Sequence, residues 1–385
     1  MKICAIICEF NPFHNGHRYV LEQARLLSGC DKVLCIMSGS FTQRGDIAIL
    51  DKATRARHAI LSGADCVIEL PAAFSVAPAE IFAKGAIKIL NSIPDVCCLA
   101  FGCEDDDKEK FLNAARILLD ESEEFKNALN NSLDGGDSYI RSYCTAFKAV
   151  GGNAEIMEKP NNILGLEYTK ALLSAHSHIE ILPVKRIGSN FNDSELQSDF
   201  SSASAIRKNL TSPLVKDNVP DYVYADLKDA TDAEKFKWQA RFDLARANPE
   251  DLKNIFGCNE GLENRLISVA KECTYDEILK ECTSKRYSLS RIKRIMCANL
   301  LGIYENDSKT FLNSEQYIKP IALKKAVADE MLSSLAKSSF PLITRGRDLE
   351  KLSPAGKKCF ELDTKAYSLY KIISGKPVSD NIIFI

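Results

Sequence analysis

The first two hundred residues alternate short β-branched runs with amphipathic stretches, a rhythm that few architectures accept. Strand-length apolar runs lie at Ile3 to Cys8, Lys32 to Met37, Cys66 to Leu70, Val96 to Phe101 and Ile179 to Val184. Helical patterns fall between them, at His17 to Leu27, Lys52 to Ser62, Glu80 to Ile89, Lys108 to Leu129 and Leu164 to Ala175. Strands alternating with helices pair in parallel through right-handed crossovers, which place helices on both faces of one sheet. The expected fold is α/β, a doubly wound parallel sheet, with its ligand at the carboxyl ends of the strands.

After about Leu210 the pattern changes to short amphipathic helices, beginning at the stretch TSPLVKDNVPDYV. The expected organisation is a ligand-binding domain over residues 1–210 and a mainly helical domain over 211–385, with FPLITRGRDLEKL carrying strand-like runs that fold back on one of them. Fifty basic against 52 acidic residues leave a formal charge of -2, so any polyanion must be bound by a local patch. No stretch approaches the 18 or so apolar residues of a membrane span, and the N-terminal apolar run ends at Glu9 without a small-residue cleavage site. A cytoplasmic protein with no membrane contact is expected. The 14 cysteines contain no C-x-x-C, so free thiols in a reducing compartment are expected and no metal site.

The strongest chemical signal is Phe10-Asn11-Pro12-Phe13-His14-Asn15-Gly16-His17, where the first strand gives way to the first helix. With five His and 19 Gly in 385 residues, H-x-G-H is expected by chance only about 0.003 times, so accident is a poor account of it. A helix N-terminus offers unpaired N–H groups and a positive dipole end to phosphate oxygens. Gly16 permits close backbone approach, and two imidazoles three residues apart can donate to charge building up on a nucleotide phosphate. The structural alternative is a pair of helix-capping histidines. Far along the chain, Ser201-Ser202-Ala203-Ser204-Ala205-Ile206-Arg207 sets hydroxyls before an arginine at a helix start, which suits a phosphate and equally suits an ordinary N-cap.

H-x-G-H after a first strand, with this S-x-S-x-I-R-like helix start, resembles the nucleotidyltransferase superfamily related to class I aminoacyl-tRNA synthetases. More narrowly, EFNPFHNGH, SGSFTQRGDIAILDKATRARHAILSGADCVIELP, PNNILGLEY and RYSLSRIKR resemble the tRNA(Met) cytidine acetate ligases, and the resemblance spans nearly the whole chain. It implies a nucleotidyltransferase-like N-terminal domain that activates acetate with ATP and Mg2+ as acetyl-adenylate. The acetyl group then passes to N4 of the wobble cytidine of elongator tRNA(Met), forming N4-acetylcytidine. The ATP contacts it implies are Ile7, Cys8, Glu9, Phe10, Asn11, Pro12, Phe13, His14, Asn15, Gly16, His17, Arg18, Tyr19 and Val20. Gly102, either Asn161 or Asn162, Arg186 and Ile187 join them, and Ser204 and Arg207 come from the second motif. His14 and His17 are the expected catalytic pair.

Several of these positions carry weight without the resemblance. Gly102 ends a strand where a flat base or ribose could lie on backbone, and Arg186 follows the strand ILPVK and could clamp a phosphate. In the loop SGSFTQRGD, Gln43, Arg44 and Asp46 lie on the histidines' edge of the sheet and are candidates for acetate and phosphate contacts; Ser40 stands there where relatives are expected to carry Asn. Glu69 has no basic neighbour in sequence and receives no role. For RNA, SKRYSLSRIKR supplies Lys285, Arg286, Arg291, Lys293 and Arg294 with Tyr287 for stacking, and Arg345 and Arg347 are further candidates. No protein partner is implied. Two alternatives remain at this point: an adenylyltransferase making a small nucleotide cofactor, and a non-catalytic RNA-binding protein on a nucleotide-binding scaffold.

Overall fold

The computed structural model describes residues 1–137, 139–187, 196, 199–377 and 379–385. Seven strands form one sheet: β1 (Ile3–Cys8), β2 (Lys32–Ser38), β3 (Cys66–Leu70), β4 (Val96–Cys103), β5 (Glu180–Lys185), β6 (Pro320–Leu323) and β7 (Ile383–Phe384). Their order is β5-β4-β1-β2-β3-β6-β7, parallel except where β6 meets β3. This is the expected α/β, doubly wound, nucleotidyltransferase-like fold.

All six residues of β1 are buried, because helices cover both faces of the sheet and leave no side for water. Alternation sorts its side chains: Ile3, Ala5 and Ile7 join one core, and Cys4, Ile6 and Cys8 join the other. The chain leaves β1 for β2 on one side and later returns to pair β4 on the other. That reversal opens a crevice above the carboxyl ends of β1 and β4.

Two segments fold into elements other than those expected. Lys108 to Leu129 is two helices, Lys108–Asp120 and Glu123–Asp134, broken at Glu121, whose φ is +38°. Ser122 caps the second by accepting from Phe125 N at 3.3 Å, and Glu123 and Glu124 favour its N-terminal dipole. In the last part, FPLITRGRDLEKL forms a 3-10 turn (Gly346–Lys351) and one bridge, from Leu342 to Ile318; the strands that return to the sheet are β6 and β7. The two halves of the chain therefore share one sheet.

The β3–β6 junction is pinned by buried charge. Lys52 Nζ lies 2.7 Å from Glu69 and 2.6 Å from Asp380, and Lys319 Nζ lies 3.0 Å and 2.8 Å from the same two carboxylates. Burial alone would raise the Glu69 pKa, but Lys319 and Lys52 outweigh it and hold the carboxyl at about 2. Glu69 thus finds its partners through the fold, 17 residues back and from the opposite half of the chain.

Candidate active site

Beyond Cys8 the backbone turns sharply, with Phe10 at φ +49°, and then enters the helix Asn15–Leu27. His14 is its N-cap. Its Nδ1 accepts from Gly16 N at 3.1 Å, and His17 Nδ1 accepts from His14 N at 3.3 Å, a reciprocal capping box built from two imidazoles. The rings stack with centroids 3.7 Å apart. A Cβ on Gly16 would lie 2.9 Å from His14 Cε1, so only glycine lets the first ring fold over the turn.

Burial, reinforced by His17, Arg186 and Arg207, pushes the His14 pKa well below its ordinary value, and burial with Arg186 pushes His17 down to about 3. Both rings are neutral near pH 7. Since both Nδ1 atoms accept backbone N–H groups, each neutral ring carries its proton on Nε2. The capping role weighed as the alternative is therefore real, and it is what turns the two Nε2–H groups into fixed donors.

These rings line a cavity of about 330 Å3 at the crevice above β1 and β4. The second motif closes one side. Ser202 caps the helix Ala203–Lys208 by accepting from Ala205 N at 3.1 Å, and Arg207 donates to the Asn11 carbonyl and, at 3.2 Å, to Ser204 Oγ. Asn15 is not in the cavity wall; it donates to the carbonyls of Asp217 at 2.8 Å and Asp199 at 3.2 Å, which ties the segments flanking the second motif to the first helix. Arg186, Arg207 and Arg44 give the wall three cations, and burial lowers the pKa of each.

The remaining expected residues separate clearly. Ile7, Cys8, Glu9, Phe10, Asn11, Gly16, Val20, Gly102, Asn161, Gln43 and Ser204 also line the cavity. Pro12, Phe13, Arg18 and Tyr19 do not, and Ile187 is 47% exposed beside it. Of the two asparagines, Asn161 faces the cavity and donates to Glu104 Oε1 at 2.7 Å. Asn162 turns away from the cavity and is buried, its Oδ1 accepting from Glu104 N at 2.9 Å and Asp105 N at 3.3 Å. A Cβ on Gly102 would sit 3.2 Å from Val20 Cγ2 and 3.5 Å from Arg186 Cγ, so glycine there leaves room for the arginine. Asp46 points out of the cavity to Lys293 Nζ, 2.9 Å away.

The cavity's apolar wall escaped sequence reasoning. Phe82, Phe101, Ile163, Leu164 and Tyr168 form it. The spacing of Asn161, Leu164 and Tyr168 on the helix Pro160–Ser174 was a usable signal, since three- and four-residue steps share a face. Glu9 is the one carboxylate in the wall. Burial raises its pKa, and its Oε1 accepts from Gln43 N at 2.6 Å and Ser38 Oγ at 3.1 Å.

The basic segment lies across the loop from the cavity. Lys285 and Arg286 are exposed, and Arg286 pairs with Glu260 at 2.9 Å. Arg291 stands 5.1 Å from the Tyr287 ring centroid and donates to the Gly257 carbonyl at 3.1 Å. Arg294 is inward-facing. Burial, Arg291 and Arg44 lower its pKa to about 10, which sets it between the segment and the cavity's Arg44. Leu289, expected in the apolar stripe of this helix, is 49% exposed; Ile292, Met296 and Leu300 are buried as expected, together with Ile295 and Cys297. Gly45, at φ +77°, lies so close to this helix that a Cβ would approach Arg294 N and the Lys293 carbonyl carbon to 2.6 Å. Arg345 and Arg347 are exposed at the 3-10 turn.

Among the described residues no group of three or more His, Cys, Asp or Glu side chains could hold a metal ion, and no helix is long and apolar enough to cross a membrane.

Known proteins resemble this chain along nearly its whole length. The family model HIGH Nucleotidyl Transferase matches residues 1–381. The tRNA(Met) cytidine acetate ligase of Acetivibrio thermocellus is 35% identical over 98% of this chain and 96% of its own, and that of a Thermoanaerobacter species is 35% identical over 97% and 95%. The crystal structure of apo Thermotoga maritima TmcAL superposes with a TM-score of 0.92 at 28% identity, and TmcAL bound with alpha-thio ATP superposes with a TM-score of 0.89 at 29% identity. Both cover 100% of each chain. The chain belongs to the tRNA(Met) cytidine acetate ligase family of HIGH nucleotidyl transferases.

Proposed function

We propose, from that membership, that this protein is an ATP-dependent ligase that acetylates N4 of the wobble cytidine of elongator tRNA(Met) through an acetyl-adenylate. The observation that carries the reading is the pair of neutral imidazoles, each with its Nδ1 taken by a backbone N–H, at a helix N-terminus facing three arginines. Such donors bind a triphosphate at neutral pH without first taking up a proton. They are also fixed where charge develops on the α-phosphate.

In the first step an acetate oxygen attacks the α-phosphorus and the bond to the β-phosphate oxygen breaks, releasing pyrophosphate. His14, His17, Arg207 and Arg186 hold the phosphates, while Asn161, Gly102 and the apolar wall of Phe101, Leu164 and Tyr168 seat the nucleoside. Gln43 and Arg44 receive the carboxylate. In the second step the cytosine N4 attacks the acyl carbon, AMP leaves and the amine loses a proton. The mixed anhydride is already activated, so no protein nucleophile is needed. Mg2+ would supply charge neutralisation on the phosphates. Glu9, whose Oε1 already accepts two hydrogen bonds, is the cavity carboxylate nearest in kind to a ligand.

Residues 1–210 would bind ATP and residues 211–385 the RNA, with the segment Lys285, Arg286, Tyr287, Arg291, Lys293 and Arg294 on the tRNA side, in the cytoplasm where tRNA is modified. Incubating the protein with ATP, labelled acetate and total tRNA, followed by nucleoside analysis, tests acid, energy source and acceptor together. Label in N4-acetylcytidine is expected. Pyrophosphate exchange that ignores acetate but responds to a nucleotide acceptor would instead favour a cofactor-making adenylyltransferase.

A further inference from the structure

The helix Ala233–Ala245 buries Phe236, Ala240 and Leu244, and Phe236 packs on Phe41 of the loop that leads to Gln43 and Arg44, with ring centroids 5.9 Å apart. Its opposite face is unusual. Trp238 and Phe242, four residues apart, are 61% and 46% exposed, and their rings stack 5.2 Å apart at 11°. Other ring pairs of the protein, such as Phe10 with Phe13 and Phe101 with Phe111, meet edge-on inside the core, at 64° and 80°. Two near-parallel plates left in water present an open π-face on which a flat group can stack.

The charges around the plates indicate which occupant. Lys235 and Arg246 continue the stripe at either end, and neither pairs with a carboxylate among the described residues. Arg246 lies 5.9 Å from the Phe242 ring centroid. Residues 233–246 hold four basic and two acidic side chains in a chain whose formal charge is -2. Aromatic plates bracketed by cations suit an unpaired nucleobase with phosphates on either side. A flat protein partner would want apolar neighbours around the rings, and the stripe supplies cations.

We propose that Trp238 and Phe242 are a stacking platform for an unpaired base of the RNA substrate, with Lys235 and Arg246 on the flanking phosphates. This rests on the reading that tRNA is the substrate. The helix packs against the helix Leu289–Leu301, so the platform and the basic segment belong to one body.

The chain's single tryptophan is Trp238, so tryptophan emission, excited at wavelengths where tyrosine does not absorb, reports this site alone. Titrating the full-length protein with elongator tRNA(Met) should quench that emission saturably. Replacing both rings (Trp238→Ala with Phe242→Ala) should weaken tRNA binding roughly 5- to 150-fold, the range for one stacked base, with acetate-dependent pyrophosphate exchange unchanged. Trp238→Phe should restore most of the affinity, which a merely structural role for the indole would not require. Emission unmoved by a tRNA that the same preparation acetylates would overturn the platform while leaving the function standing. So would unchanged affinity in the double variant, or loss of self-association by light scattering in place of RNA affinity, which would make a second copy the occupant. Failure of the wild-type protein to acetylate tRNA counts against the functional reading instead.

Discussion

The histidine pair makes the protein's stability depend on acid in a calculable way. In the unfolded chain His17 takes up its proton near pH 6.5, while in the folded protein burial and Arg186 lower that value to about 3. Between the two the unfolded state binds more protons, so stability falls as pH drops below 6.5 and the loss is complete near pH 3. Integrating between pH 7 and pH 5 gives about 2 kcal/mol from His17 alone. That is an upper value, since His17 keeps partial exposure through the cavity. His14 adds in the same direction. The assay is urea unfolding at both pH values for the wild type and for His17→Asn, which keeps a polar side chain at the third helical position. The wild type should lose more stability on acidification than the variant, by up to about 2 kcal/mol. Equal losses, or a His17 ring that titrates near pH 6.5 by NMR, would refute the assignment of neutral, Nε2-protonated donors.

Three further outcomes follow from the geometry. Asn161→Ala should raise KM for ATP several-fold with little change in Tm, whereas Asn162→Ala, which strips the acceptor from two backbone N–H groups, should cost about 1–3 kcal/mol by chemical denaturation and spare KM. Glu69→Gln leaves Lys52 and Lys319 buried with Asp380 as their one remaining carboxylate, so a loss of about 3–5 kcal/mol is expected in urea unfolding. Gly45→Ala should cost at least about 1 kcal/mol from its left-handed backbone alone, and a crystal structure should show the helix Leu289–Leu301 displaced from the loop.

The parallel strands were legible because each is buried on both faces and so reads as an unbroken apolar run, as ICAIIC does. β6 and β7 were not, being four and two residues long and too short for any period to register. The polar side of the cavity could be anticipated from H-x-G-H and S-x-S-x-I-R because small residues beside donors at helix starts have a chemical meaning of their own. Its apolar side was harder to read, because helical spacing such as that of Asn161, Leu164 and Tyr168 marks a shared face and not what that face meets. Phe82 and Tyr168 are chemically indistinguishable from core aromatics until the topology turns their helices toward the crevice. Asp46 shows the converse limit, since its partner Lys293 lies 247 residues away and no local pattern joins them. The charge run SKRYSLSRIKR likewise gave no sign that Arg294 would turn inward while Lys285 and Arg286 stayed in water.

At Gly45 the loop bearing Arg44 rests on bare main chain, with no flexible side chain between them to take up slack. A displacement of the helix Leu289–Leu301 toward the loop would therefore press main chain directly against main chain. Were binding at that helix coupled to binding at Arg44, reciprocity would require the influence to be of equal size in both directions.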